Sequence, residues 1–246
     1  MDTARPAPRR AVDPLTLTIL LSMLAAAALF TLWPELDLAV SAFFYCPEIA
    51  DFAGDQSVLA GAMFKLIPYI STGIILFLAA IFIASFFAPA PRRRHWRLRS
   101  GFLLAALILG PGLIIDMAAK DHWGRARPSR IAEFGGNARF TPALLPADQC
   151  GKNCSFVSGH ASAGFFAVSL GFLGGAGARR RWTLAGLALG GIAGLGRIAQ
   201  GGHFLSDVVF AFFITWWSAW LVWLIFRKLG WMDSTGERGA GSGNQT

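Results

Sequence analysis

The sequence predicts an all-α bundle with six transmembrane helices, and three observations carry that prediction. Hydrophobic residues make up 54% of the 246 and the mean hydropathy is +0.51, too apolar for a soluble chain of this length. Six apolar segments, each near the length of a bilayer core, follow one another at 15–33, 66–88, 100–119, 157–177, 182–200 and 204–226. Arginines and lysines collect at alternate boundaries between them, as the positive-inside rule requires.

Residues 1–13 are polar and proline-containing, and are expected to be a disordered cytoplasmic N-terminus. The first apolar run is too long for a signal peptide, and Trp33-Pro34-Glu35 follows it where a small-residue cleavage site would stand, so it reads as a retained span. Leu36 to Tyr45 is too short to span and reads as an amphipathic helix in the outer interface. The second and third spans are separated by Arg92, Arg93, Arg94, Arg97 and Arg99. The loop over 120–156 carries Pro128, Pro142, Pro146 and Gly135-Gly136, and reads as an ordered functional loop. Arg179, Arg180 and Arg181 separate the fourth span from the fifth. In the fifth span, Gly186, Gly190 and Gly194 recur at i+4, a small-residue stripe for close helix packing or for dimerisation. Trp216, Trp217, Trp220 and Trp223 in the last span read as an interfacial aromatic belt. Residues 232–246 are a polar tail, again expected to be disordered, so that 14–231 form one membrane domain.

With six spans, Arg5, Arg9 and Arg10, the two arginine clusters, and Arg227 with Lys228 all fall on one side, which is the cytoplasmic side with both termini. Glu35, Asp37, Glu48, Asp51 and Asp55 fall on the other. Most of the net charge of +8 is therefore topological anchoring, and no nucleic-acid partner is implied. One loop breaks the trend. Lys120, Arg125, Arg127, Arg130, Arg139 and Lys152 lie on the outer face, where such an excess asks for an anionic partner. Cys46, Cys150 and Cys154 also fall outside; if that compartment is oxidising, Cys150 and Cys154 are the expected pair, with Cys46 as the rival.

Three polar clusters then share the outer face. Lys120 to Pro128 follows the third span, Ser155 to Ser162 opens the fourth, and Gly196 to Asp207 joins the fifth to the sixth. Charged groups at membrane depth are costly and mark a site. Ser158-Gly159 at a helix start can present a hydroxyl and backbone N–H groups to an anion. If the last helix runs from about Gly202, His203 and Asp207 are i and i+4 on one face, where a carboxylate can orient an imidazole for nucleophilic or acid-base work. Asp116, one turn before Lys120, is expected to pair with it. The four histidines and three cysteines lack a tight metal-ligand spacing, and no cofactor or metal is expected.

As a set these words are K-x6-R-P at Lys120, Arg127 and Pro128, S-G-H at Ser158, Gly159 and His160, and R-x5-H-x3-D at Arg197, His203 and Asp207. In that order they resemble the type-2 phosphatidic acid phosphatase superfamily, from the third span to the sixth. Val157 stands where the family usually has proline, and Gly196 where it often has serine. The longer words, Gly110-Pro111-Gly112, Lys120 to Pro128, Cys150 to His160 and Gly201 to Asp207, look most like bacterial lipid A 4′-phosphatases, some of which carry an acidic residue where His160 stands.

The resemblance implies a lipid phosphatase of a bacterial inner membrane with a periplasmic site. His203 would be the nucleophile that forms a phosphohistidine, Asp207 its orienter, and His160 the general acid that later activates water. Lys120, Arg127, Ser158, Gly159 and Arg197 would bind the phosphate, without metal. His122, Arg125, Arg130, Arg139 and Lys152 are candidate headgroup contacts. The partners implied are a membrane lipid and the bilayer, with no obligatory protein partner. Other lipid phosphates, namely undecaprenyl diphosphate, phosphatidylglycerophosphate and phosphatidic acid, would meet the same residues. A transporter using its charges for ion coupling is the alternative of another class, and it would need them at mid-membrane.

Overall fold

The computed structural model describes residues 13–232, so the tails expected to be disordered lie almost wholly outside the described residues. The chain is mostly helical. Five helices are long and apolar enough to cross a membrane: Pro14–Leu32, Val58–Ala84, Arg92–His122, Ala176–Ala199 and Leu205–Lys228.

The first is α1 (Pro14–Leu32), started by a proline whose missing N–H costs nothing at a helix N-terminus. A turn at Trp33-Pro34 leads to the short α2 (Glu35–Ala42), and the chain then makes a small antiparallel pair, β1 (Tyr45–Cys46) with β2 (Asp51–Phe52). Next comes α3 (Val58–Ala84), capped by the Ser57 hydroxyl.

α4 (Ala90–Leu107) runs on through Ile108–Ala119, where the turns widen to i→i+5 hydrogen bonding, into the last turn α5 (Lys120–His122). Pro111 lies inside the widened stretch and has no N–H for the Leu107 carbonyl, a recognised cause of such loosening.

The fourth apolar segment differs from its expected form. It is not one long helix but α6 (Gly159–Phe165) and α7 (Val168–Gly171). From Ala167 to Gly174 the backbone bonds are mainly i→i+3, including Ala167 N–H to Gly164 O at 3.3 Å and Leu170 N–H to Ala167 O at 3.1 Å. The physical reason lies in α8 (Ala176–Ala199). Gly186, Gly190 and Gly194 are buried on one side of it. A Cβ at Gly164 would come within 2.7 Å of the Gly190 backbone, and one at Gly186 within 3.2 Å of the Phe165 carbonyl. The stripe thus serves packing inside this chain, and α6 and α7 follow its surface.

The centre of the bundle is α9 (Leu205–Lys228), packed by α1, α2, α4, α6, α7 and α8. Trp216 corrects the expected tryptophan belt. It is fully buried, packs edge-on against Phe172 and donates its indole N–H to Thr183 Oγ1 at 3.3 Å. A lipid interface would have left it half wet.

At one end of the bundle the loops form a second apolar cluster of Phe52, Ala126, Ile131, Phe134 and Phe204. The 120–156 loop is ordered by long-range bonds. Trp123 Nε1 donates to Ala143 O at 2.7 Å, Cys154 N–H to Lys120 O at 2.9 Å, and Ser129 N–H to Gly201 O at 3.0 Å. This end carries all three polar clusters.

Candidate active site

His203 sits in the tight connection between α8 and α9, almost fully buried. The helix begins at Leu205, not near Gly202, so His203 precedes the helix and the expected i, i+4 stacking on one helical face is corrected. Its Nδ1 lies 2.7 Å from the Ser155 carbonyl oxygen and 3.7 Å from Asp207 Oδ2. A carbonyl only accepts, so Nδ1 carries the hydrogen and the lone pair is on Nε2. Burial is the chief influence on the imidazole and brings it down from 6.5 to about 4, against the pull of Asp207 and with help from Arg197 and Arg127.

Asp207 is the third residue of α9 and accepts the backbone N–H of Phe204 at 2.8 Å, which caps the helix. It also accepts Ser155 Oγ at 2.5 Å and Arg125 Nη1 at 2.6 Å. Ser155 therefore serves both residues, one through its carbonyl and the other through its hydroxyl.

Arg125 was expected at the headgroup, and the structure corrects this: the side chain is fully buried beneath the site. Besides Asp207 it donates to Ser206 Oγ at 2.8 Å, Asp37 Oδ2 at 2.8 Å and Thr141 O at 2.9 Å, with its guanidinium 4.2 Å from the centre of the Phe204 ring. Asp37 in turn accepts Ser206 N–H at 2.9 Å and Ser206 Oγ at 2.5 Å. Burial pushes the Asp37 carboxyl above the usual range, and Arg125 draws it back.

Arg197 is held at the end of α8, 7% exposed, by a 2.7 Å bond from Nη1 to Gln200 Oε1. Its Nε is buried with no hydrogen-bond partner among the described residues. The guanidinium lies across Gly202, where any Cβ would overlap it, and over the Phe64 ring at 4.5 Å. Lys120 pairs with Asp116 at 2.7 Å, and its Nζ lies where a Cβ on Gly159 would be. Glycine at 159 is what lets this ammonium reach the start of α6. Arg127 donates from Nη2 to Asn153 O at 2.9 Å and to Asn153 Oδ1 at 3.0 Å, and burial lowers its pKa, with Arg130 adding to the effect.

Ser158 caps α6 by accepting Ala161 N–H at 3.4 Å, and its own N–H donates to the Asp207 carbonyl at 3.1 Å. The second and third clusters are thereby tied by backbone. His160 follows on α6, with Nε2 3.2 Å from the Phe64 carbonyl oxygen. The structure thus brings Lys120, Arg127, Ser158, Gly159, His160, Arg197, His203 and Asp207 to one end of the bundle. The arrangement offers a neutral imidazole with a free lone pair beside three cations, with a second imidazole nearby.

His122, Arg130, Arg139 and Lys152 lie on the exposed surface of the loop, and none of their side chains forms an ion pair among the described residues. Cys150 and Cys154 form a disulfide with Cα atoms 5.7 Å apart, while Cys46 is a free, half-buried thiol. Among the described residues no group of three or more His, Cys, Asp and Glu side chains could hold a metal ion.

Sequence reasoning missed Asp37, Ser155, Ser206 and Phe64. Asp37 left a signal as the one acid of the 36–45 segment, and Ser155 and Ser206 fall inside two of the polar clusters. Ser155 acts through its carbonyl as much as its hydroxyl, and no residue type announces a carbonyl.

Comparison with known proteins gives the arrangement a family. A lipid A 4′-phosphatase of Francisella tularensis subsp. novicida (strain U112) is 36% identical over 208 residues, covering 81% of this chain and 90% of the relative. Lipid A 4′-phosphatases of Rhizobium leguminosarum and Rhizobium etli are 29% and 31% identical, each over 75% of this chain and over 84% and 76% of their own lengths. No solved structure matches the chain significantly. The PAP2 superfamily model matches residues 100–231, which hold all three clusters. On this match the chain belongs to the PAP2 superfamily, and it is a phosphatase, a phosphoric monoester hydrolase.

Proposed function

We propose that the chain is a metal-independent lipid phosphatase that removes the 4′-phosphate of lipid A through a phosphohistidine at His203. The observation that carries the reading is the Nδ1 bond of His203 to the Ser155 carbonyl, which commits the Nε2 lone pair to attack.

Nε2 attacks phosphorus as the bond to the leaving oxygen breaks, and that oxygen takes a proton from His160. Water then attacks the phosphohistidine, His160 removes its proton, and inorganic phosphate leaves with Nε2 restored. Lys120, Arg127 and Arg197, with the Ser158 hydroxyl and the Gly159 amide, neutralise the nonbridging oxygens. The unpartnered Nε of Arg197 is one donor waiting for such an oxygen. Asp207 holds the His203 connection through Ser155 and Phe204 as well as by charge.

The membrane reading follows the same argument. Residues 14–231 form one domain of a bacterial inner-membrane protein with six spans, both termini in the cytoplasm and the site facing the periplasm. The broken fourth segment comes near this length: from Gly159 to Gly174 it reaches about 24 Å at the α-helical rise, and more where the turns tighten, against a bilayer core of about 30 Å. A disulfide on the site-bearing loop fits an oxidising compartment. The substrate is drawn from the three relatives, and the bilayer delivers it without an obligatory protein partner.

The test uses purified protein in detergent with lipid A. Inorganic phosphate should be released at the same rate with and without EDTA, and His203→Ala should abolish both release and the acid-labile phosphoenzyme. Activity lost on chelation and restored by one divalent ion would sink the metal-free mechanism. A phosphoenzyme that survives in His203→Ala would sink the nucleophile.

A further inference from the structure

His160 is held by α3, a helix that carries no motif residue. The His160 ring stacks on that of Phe64, with centroids 5.0 Å apart and planes 18° from parallel, and its Nε2 lies 3.2 Å from the Phe64 carbonyl oxygen. A carbonyl inside a helix is normally taken by the N–H four residues further on. For Phe64 that residue is Pro68, inside α3, and proline has no N–H to give. The Phe64 carbonyl is therefore free of the helical ladder at the one position where a histidine reaches it. Packing gives no other reason for a proline there, because α3 has a single buried residue, Leu78, more than two turns away.

We propose that Pro68 and Phe64 form a positioning device for His160, in which the proline frees a backbone carbonyl and the carbonyl fixes the imidazole. The inference rests on the reading of His160 as proton donor. Because a carbonyl only accepts, Nε2 keeps its hydrogen, and Nδ1 is the nitrogen that gives its proton to the leaving oxygen from the imidazolium and takes one back from water, always in the same orientation. The Phe64 ring adds a second restraint: it stacks on this imidazole and also carries the Arg197 guanidinium 4.5 Å from its centre. Neither Pro68 nor Phe64 needs to touch the phosphate. Both act through His160.

Pro68→Ala tests the idea directly, since alanine supplies the missing N–H and returns the carbonyl to the helix without weakening it. The full chain is assayed on lipid A, whose leaving alkoxide needs a proton, and on para-nitrophenyl phosphate, whose leaving group does not. Pro68→Ala should lower kcat/KM on lipid A, which reports the step that expels the leaving group, about fivefold to tenfold, the effect of one hydrogen bond. It should leave kcat/KM on the aryl ester nearly unchanged and add nothing in a His160→Ala background. Equal loss on both substrates, no loss at all, or a loss that multiplies with that of His160→Ala would overturn the device. If His160→Ala itself costs the same in kcat/KM on both substrates, the proton-donor reading fails and the inference with it.

Discussion

Arg125 and Asp207, 82 residues apart in the chain, meet in a fully buried ion pair of 2.6 Å. The other terminal nitrogen of the same guanidinium reaches Asp37 at 2.8 Å. One cation thus stands between two buried carboxylates, and it joins α2 to the base of the site.

Removal of that cation should cost more than removal of either partner. Arg125→Met leaves two carboxylates facing each other without water, and a broken buried pair costs about 3–5 kcal/mol. Asp37→Asn removes one charge and keeps much of the hydrogen bonding, so it should cost less. Arg125→Lys should not rescue, because an ammonium cannot make the forked contacts to Ser206, Asp207, Asp37 and Thr141. Thermal unfolding in detergent orders the three variants, and an Arg125→Met protein as stable as the parent would refute the argument.

The pH dependence follows from the burial of His203, which holds its imidazole at about 4 where an exposed histidine titrates near 6.5. A lowered pKa means the folded state keeps the ring neutral while the unfolded chain would already take up a proton. Two consequences have opposite visibility. The Nε2 lone pair stays available as pH falls from 7 to 5, so phosphoenzyme formation measured by rapid quench should show no His203 limb near 6.5. The stability contribution instead declines as pH falls from about 6.5 toward 4, because the unfolded state then binds the extra proton. A limb of phosphoenzyme formation near 6.5 that His160→Ala leaves in place would contradict the burial.

Much of this architecture is legible in the residues. The apolar runs give the five long helices because hydropathy over about twenty residues measures what a bilayer measures. The three clusters are legible because charge is rare in such a chain. The fourth segment is not legible in form, since the i→i+3 tightening comes from its fit against the Gly186–Gly190 surface of α8, a property of two segments together. Arg125 shows the limit most clearly. Its neighbours in sequence include loop cations that stay exposed, and Asp207 from α9 and Asp37 from α2, brought together by the fold, hold this one buried.

Topology gives a third prediction. The basic clusters at 92–99 and 179–181 should lie in the cytoplasm and the 130–140 loop in the periplasm. A cysteine introduced in that loop at Glu133, which is exposed, should react with an impermeant thiol reagent in intact spheroplasts. One introduced at Arg94 should react only after lysis. The reverse pattern would invert the orientation and put the site on the cytoplasmic side.

The substrate is the last prediction, and the exposed cations of the loop supply its argument. Arg130, Arg139 and Lys152 are solvent-facing and have no carboxylate partner among the described residues, unlike Arg125, whose charge is spent within the fold. A lipid with a disaccharide head and two phosphates brings more negative charge to that surface than a glycerol phosphate does. Contacts to the phosphate that does not react can be used to position the one that does. In matched mixed micelles, kcat/KM should be higher on lipid A than on phosphatidylglycerophosphate or undecaprenyl diphosphate. The triple variant Arg130→Gln, Arg139→Gln, Lys152→Gln should narrow that preference by about tenfold while leaving turnover of para-nitrophenyl phosphate unchanged, since three exposed charged contacts are together worth about one to two kcal/mol. A parent enzyme that prefers either competing lipid would defeat the lipid A assignment, and a triple variant with unaltered preference would remove the loop cations from headgroup recognition.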